Sequence, residues 1–454
     1  MTVLAPPDSF DIDVETLIVG GGAAGMVAAL AAHEAGQHVL VVEADAVPQG
    51  STALSAGLIP AAGTTLQRDA GIEDTAAFFA ADIQAKAKGE NDQTLVDAMA
   101  STSARVINWL TQTHRLPFSV VTDFDYPGHS RRRMHGLPSR AGRDLIDALR
   151  RAVEAAGIDV ICERRADALY AEGMHIAGAR LLRPDGAEET VGCRRMILAC
   201  NGYGGNRDMV AEHMPAIRDA LWFGHDGNKG DAVTWGAELG AEARHLGAYQ
   251  GHGNVAHPHG ILISWAVIME GGVQVNQSGN RFWNESQGYS EAARAVMAQP
   301  GGTAWAIFDD RIAAIARQFE DFKEAERQGA IRWGDTVEAL ASDTGLPADA
   351  LASTLADIPD NGADAFGRRF GANRLAPPYA AVKVTGALFH TQGGLVVDPA
   401  TARVCHRDGT LFPNLSAVGG AACGVSGSGD AGYLSGNGLL AAVTLGYLAG
   451  RDAG

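Results

Sequence analysis

Three glycines spaced G-x-G-x-x-G, at Gly20, Gly22 and Gly25, constrain this chain more than any other feature because of what flanks them. The apolar run Thr16–Val19 reads as a strand, a helix follows from Ala23 to Ala35, and a second apolar strand, His38–Val42, ends at Glu43. In such a strand-turn-helix-strand unit the first glycine permits the tight turn. The second lets the backbone approach a pyrophosphate, and the third lets helix and strand pack closely. The helix N-terminus offers free N–H groups and a positive dipole end to phosphates. Glu43 stands where a carboxylate can accept both hydroxyls of an adenosine ribose. The pattern predicts an α/β fold with a Rossmann-type dinucleotide-binding domain; with no ligand, the same residues are only a glycine-rich turn. It does not choose between NAD and FAD.

With 454 residues the chain is long enough for two or three domains of roughly 100–200 residues each. Its 53 acidic and 36 basic residues leave a formal charge of -17 with no basic stripe, which argues against a nucleic-acid partner. The 57 glycines far exceed the usual share of about 7%, so the backbone must turn tightly or approach something closely in many places. Five cysteines, Cys162, Cys193, Cys200, Cys405 and Cys423, form no CxxC, haem or zinc spacing, so no metal is expected. The opening MTVLAPPDSFDID lacks a basic and an apolar signal region, and no uncharged apolar stretch of about 18 residues follows, so a soluble cytoplasmic protein is expected.

Further along, Arg194–Ala199 reads as another buried strand running into Asn201-Gly202-Tyr203-Gly204-Gly205. The glycine-bearing Gly386–Val397 precedes Ala421–Gly438, mostly small residues, and an apolar helix, Leu439–Leu448. Between them the texture changes to amphipathic helices at Arg311–Arg327, Trp333–Leu340 and Ala348–Leu355, with a polar turn at Gln277–Asn280. These shifts predict a cofactor-binding domain, 1–246 and 390–454, interrupted by an inserted α+β cap or substrate domain, 247–389.

The run Gly50-Ser51-Thr52-Ala53-Leu54-Ser55-Ala56-Gly57 followed by Ala61-Ala62-Gly63-Thr64 resembles one flavoprotein family. It contains the soluble fumarate reductases, the succinate dehydrogenase flavoprotein subunits and the 3-ketosteroid dehydrogenases. Four more segments follow in that family's order: Ile197-Leu198-Ala199 with Gly202, Gly230-Asp231, Asn280-Arg281-Phe282-Trp283-Asn284-Glu285, and Thr391-Gln392-Gly393-Gly394-Leu395. The resemblance implies FAD rather than NAD. It places Ser51, Thr52 and Gly57 along the flavin and pyrophosphate, Asp231 near the phosphates, Gly394 beside the isoalloxazine, and Asn437 with Leu439 at its pyrimidine edge. It extends the cofactor contacts to Ala23, Ala24, Ala44, Ser55, Ala56, Ala199 and Gly202, and to His390, Gly419, Gly420 and Gly438. Membrane-bound members attach FAD through a histidine where this chain has Ser51, which implies non-covalent FAD. Gly420 replaces the Glu or Asn usual in the ribityl-binding segment.

Members of the family reduce or form an activated C=C, moving one hydrogen as hydride to flavin N5 and one as a proton. Fumarate reductases use two arginines and a histidine at positions that here read Tyr289, Tyr433 and Phe389, and their proton relay falls at Trp265 and Ile268. Only a histidine upstream of the relay is kept, as His252. The tyrosines match the 3-ketosteroid dehydrogenases, and Tyr433-Leu434-Ser435-Gly436 is similar to the Δ4-(5α) branch. That implies Tyr289 as base, Tyr433 as hydrogen-bond donor to the substrate ketone and Ser435 as the base's assistant. A phenol with a pKa near 10 is too weak a base unless a ketone acidifies the α-carbon and a donor stabilises the enolate. Tyr126, His252 and Phe389 are candidate substrate contacts. Arg281 and Glu285 read as a structural pair, and the basic cluster Arg131–Arg133 with His135 and Arg140 as a surface turn or a carboxylate-binding site. The resulting expectation is an FAD-dependent ketone α,β-dehydrogenase passing electrons to an unidentified acceptor. The alternatives are a fumarate-reductase-type ene-reductase of an unsaturated carboxylate and a flavin carrier without catalysis.

Overall fold

The computed structural model describes residues 2–122 and 125–452, which form two compact units. The first comprises Met1–Met209, Gly224–Tyr249 and His390–Gly454, and the second Val210–Phe223 and Gln250–Phe389. Val210–Phe223, assigned from sequence to the cofactor half, groups with the second unit. Its strand Leu221–Trp222 pairs in parallel with Ala387 and Leu388, and its helical turn Pro215–Ile217 packs on the helix Tyr289–Met297.

The first unit is built on a nine-stranded sheet among the described residues. The long strand Glu188–Leu198 lies parallel to Ile12–Val19, which is followed by Val39–Val42 and Asp159–Ile161, all parallel. On its other side Glu188–Leu198 pairs with His175–Leu182 along its first half and with Leu411–Ala417 along its second. Leu17–Val19 and Val39–Val42 are buried at every position, the unbroken apolar pattern of strands covered on both faces. The helix Ala23–Glu34 packs on the C-terminal helix Asn437–Arg451. A Cβ on Gly446 would lie 2.6 Å from the Ala24 carbonyl oxygen, so the small residues there serve direct backbone approach.

In the second unit a seven-stranded sheet runs, in order, Ile261–Leu262, Tyr249–Ala256, Tyr379–Thr391, Thr303–Asp309 and Val273–Val275. Leu221–Trp222 and Ile331–Gly334 also pair with Tyr379–Thr391. Two helix expectations need correction here. Arg311–Arg327 is two helices, Asp310–Ala316 and Glu320–Arg327, because the buried positions change phase: Ile312, Ala313 and Ala316 lie on one stripe, whereas Phe322 and Ala325 do not continue it. A straight helix would bury one set and expose the other. Trp333 lies not in a helix but in the strand Ile331–Gly334, held by pairing to Tyr379–Val382, and the helix begins only at Val337. Among the described residues no helix is long and apolar enough to cross a membrane.

Candidate cofactor and substrate sites

In the first unit the glycine-rich turn is shaped by steric demand. Gly20 has φ +110°, and a Cβ there would sit 2.5 Å from the Ala199 carbonyl oxygen, while one on Gly25 would collide with the Gly20 carbonyl. Gly22 differs: its open side meets nothing nearer than Thr52 Oγ1 at 3.6 Å. It caps Ala23–Glu34 with no side-chain hydrogen bond of its own and no acidic residue in the helix's first turn. The Ala23 N–H donates to Thr52 Oγ1 (3.0 Å). Glu43 is buried and braces the turn: Oε2 accepts from the Gly21 N–H (2.7 Å) and Oε1 from the Asp45 N–H (2.9 Å). A carboxylate has about four acceptor sites, so this bracing leaves capacity for ribose hydroxyls.

Ser51 Oγ accepts from the side-chain amides of both Asn201 and Asn228, each at 2.9 Å, which leaves its own hydrogen to donate. Asn228, on the candidate site through Ser51, is not among the residues expected from sequence, since nothing local distinguishes it in its turn. Asn201 carried a signal: it adopts φ +65°, with Oδ1 accepting from the Gly202 N–H (2.8 Å). It also accounts for Gly420, where a Cβ would run into Asn201 Oδ1. The space that a side chain at 420 would occupy is filled from another strand end. Gly202 likewise leaves room for Thr391 Oγ1, Gly394 lies against Ala421 and Ala422, and Gly57, at φ +63°, lies 2.8 Å by its virtual Cβ from the Ala141 carbonyl. Asp231 opens the helix Asp231–Leu239, and burial raises its carboxyl above the ordinary range.

A hydrogen-bonded chain joins four more residues. Asn437 Nδ2 donates to Ser426 Oγ (3.0 Å), which donates to Gln392 Oε1 (2.7 Å), while Gln392 Nε2 lies 3.0 Å from His390 Nδ1. Burial holds His390 at about 4, so the ring is neutral; its Nδ1 faces both the Gln392 amide and, at 3.3 Å, the Thr391 carbonyl. The chain leaves Asn437 Oδ1 buried with no partner, and Thr391 Oγ1 is in the same condition. Buried orphan polar atoms call for a ligand or water. The N-terminal end of the helix Ala23–Glu34, the open side of Gly22 and these two orphans suit the phosphates and polar ring edge of FAD.

Tyr433 is buried, with its ring edge-on to His390 at 5.5 Å. Burial raises its phenol well above 10, against the backbone N–H groups of Gly436 and Gly438 that donate to its oxygen. The phenol is therefore held in its protonated form. Tyr126 packs on the small cluster Leu58, Val121 and Met134. The basic cluster is neither a plain surface turn nor an open carboxylate site. Arg133 is 1% exposed and bidentate on Asp74 (3.0 and 3.1 Å), Arg132 pairs with Asp125, and Arg131 lies over the Phe78 ring. His135 is buried between Thr64 Oγ1 (2.8 Å) and the Arg133 carbonyl (2.9 Å).

In the second unit His252, Tyr289 and Phe389 come together. The His252 ring stacks on Tyr289 (5.2 Å) and Phe389 (5.5 Å), with Trp265 edge-on at 5.7 Å. Gly253 makes this possible, since any Cβ would strike Ala292 and push the Tyr289–Met297 helix off the strand. Burial drives His252 down to about 3, and its Nδ1 accepts from the Asn254 N–H (3.2 Å), so it is a neutral ring with Nε2–H. The indole N–H of Trp265 is buried without a partner. Arg281 and Glu285 form an internal ion pair. Glu285 is fully buried and shared by Arg281 and Arg368 (3.2 Å), and it accepts from the Gln274 N–H (3.0 Å).

Residues 15–439 match the FAD binding domain family. A probable fumarate reductase, Ifc3, of Shewanella frigidimarina (strain NCIMB 400) is 33% identical over 449 residues, covering 97% of this chain and 74% of the relative. The open conformation of a flavocytochrome c3 fumarate reductase superposes with a TM-score of 0.83 at 30% identity, covering 98% of this chain and 78% of that one. The 3-ketosteroid-Δ4-(5α)-dehydrogenase of Rhodococcus jostii RHA1 superposes at 0.80 over 99% of both chains, at 23% identity.

Proposed function

Because the chain belongs to the FAD binding domain family and is a flavoprotein oxidoreductase acting on carbon–carbon bonds, we propose that it desaturates a ketone next to its carbonyl. The substrate class is a 3-ketosteroid or a smaller cyclic ketone or keto acid. Bound FAD supplies the two-electron acceptor. The observation that carries the reading is Tyr433: it is buried edge-on to His390, and burial holds its phenol protonated against the Gly436 and Gly438 N–H groups, so it acts as a hydrogen-bond donor toward a ketone oxygen and not as a base. A donor there stabilises the developing enolate and makes the α-hydrogen acidic enough for Tyr289, acting as its phenolate, to take the proton and become the phenol, with Ser435 assisting. The β-hydrogen leaves with its electron pair to the acceptor, which balances the loss of two hydrogens. Tyr289, His252 and Phe389 form an aromatic stack around a neutral imidazole, with no cation among these three to hold a dianion.

The similarity to a probable fumarate reductase supports a second reading, an ene-reductase of an unsaturated carboxylate. Anaerobic mixing separates the two. A saturated cyclic ketone should bleach the oxidised flavin of the holoprotein. Failure of every ketone in a broad panel, together with reoxidation of the reduced protein by an unsaturated carboxylate, would overturn the dehydrogenase reading.

A further inference from the structure

We propose that His129 is a positioning residue that holds the Tyr433–Gly436 turn through the Ser435 carbonyl, with Arg133 deciding which ring nitrogen carries the hydrogen. The inference rests on the reading of Tyr433 and Ser435 as substrate-facing. His129 Nε2 lies 2.9 Å from the Ser435 carbonyl oxygen, although the two residues are 306 positions apart in sequence. A carbonyl only accepts, so the contact exists only if Nε2 bears the hydrogen. Arg133 enforces that. A guanidinium has donors and no acceptor, and its Nη1 lies 3.3 Å from His129 Nδ1, which must therefore present its lone pair.

The guanidinium itself cannot swing away. Its Nε and Nη2 are on Asp74, and Nη1 also reaches Asp82, which accepts in addition from the Ser130 N–H (2.8 Å) and hydroxyl (2.9 Å). Loss of solvent and the charge of Arg133 press the His129 imidazole down to about 4, against the pull of Asp82 and Asp74, so the ring stays neutral.

A second contact between the same two loops is independent of that hydrogen bond. Gly128 has φ +82°, and a Cβ there would sit 2.7 Å from Leu434 Cδ1. The turn carrying Tyr433 and Ser435 is therefore gripped at Leu434 by bare backbone and at Ser435 by the imidazole. Ser435 is buried, so its carbonyl without His129 would lose a hydrogen bond it cannot replace with bulk water. A shift of about 1 Å in the groups flanking it is enough to cost on the order of 10²-fold in rate.

The test uses the FAD-loaded full chain. His129→Phe keeps a ring and deletes the donor, whereas His129→Gln places an amide N–H near the position of Nε2. Amide exchange of residues 432–440, FAD content and the rate of flavin bleaching by an accepted cyclic ketone are compared with wild type. H129F should speed exchange in that segment and slow bleaching by about 10–100-fold at unchanged FAD content, with a smaller change in the half-saturating ketone concentration. H129Q should return both to within a few-fold of wild type. Unchanged exchange in H129F, or slow bleaching in Tyr433→Phe beside wild-type bleaching in H129F, overturns the proposal. If Y433F and Ser435→Ala both bleach normally while H129F still loosens the segment and H129Q restores it, the hold stands and the catalytic reading of the turn falls. Should H129F fail to retain FAD, His129→Leu carries the same test, because it deletes the donor to the Ser435 carbonyl without adding ring volume. The same loosening supports the proposal, and wild-type exchange and rate overturn it.

Discussion

The two units meet their demands by different means. In the first, the glycine motif and the later turn at Gly57 are shaped by backbone packed against backbone: Gly20 against Ala199, Gly25 against Gly20, Gly57 against Ala141. In the second, a side-chain network centred on buried Glu285 and an aromatic stack around His252 hold the fold. Backbone packing tolerates almost no substitution but needs no partner residue. A shared carboxylate tolerates movement but fails when a single group is lost.

Tyr289→Phe probes the stack where chemistry is proposed. It deletes one hydroxyl and leaves the ring on His252, so folding and FAD content should hold while turnover falls by about 10²–10⁴. Tyr433→Phe should cost roughly 10²–10³ and also weaken ketone binding. Steady-state kinetics within a few-fold of wild type for both would end the tyrosine mechanism.

Glu285→Ala is the sharpest structural test of the second unit. It leaves Arg281 and Arg368 buried without their shared carboxylate, at a cost of about 3–5 kcal/mol. Urea unfolding should show that loss; a midpoint near wild type would mean the network is not what holds this unit. Gly25→Ala is its counterpart in the first unit. The added methyl meets the Gly20 carbonyl, for a smaller penalty of about 1–3 kcal/mol together with weakened FAD retention, read by flavin release on dilution. Full FAD occupancy and stability in G25A would break the comparison from the other side.

Acid should weaken both units in the same direction. His135 and His390 in the first are held at about 4, and His252 in the second at about 3, all below the ordinary 6.5. The unfolded chain takes up these protons first, so stability is full above pH 6.5. It declines as pH falls toward 4, and toward 3 for His252, by about 1.4 kcal/mol per pH unit for each histidine. His135→Gln should flatten part of that slope in pH-dependent melting; an unchanged slope would mean that this ring is not kept neutral.

Much of the first unit was legible because its requirements are local. A glycine that must take φ +110°, or lie against a carbonyl, leaves its mark within six residues, and the strands beside it read as unbroken apolar runs because both faces are covered. The R-F-W-N-E segment was legible as a structural motif for a related reason: Arg281 and Glu285 are four residues apart and pair with each other. The helix break after Ala316 was harder to see, since it depends on which face each half buries.

The sequence by itself determined the α/β class, the turn that suits a dinucleotide, the flavoprotein family and the tyrosines at the proposed reacting positions, because each is encoded by residue type at short spacing. Only the tertiary structure decided that Arg133 is spent on Asp74 and Asp82, that Asn201 fills the space at Gly420, that Val210–Phe223 belongs with the second unit, and that His129 reaches Ser435. The reason is physical. Those partners lie from about fifty to more than three hundred residues apart, and a polar side chain shows in its own neighbourhood neither its burial nor the group that will satisfy it.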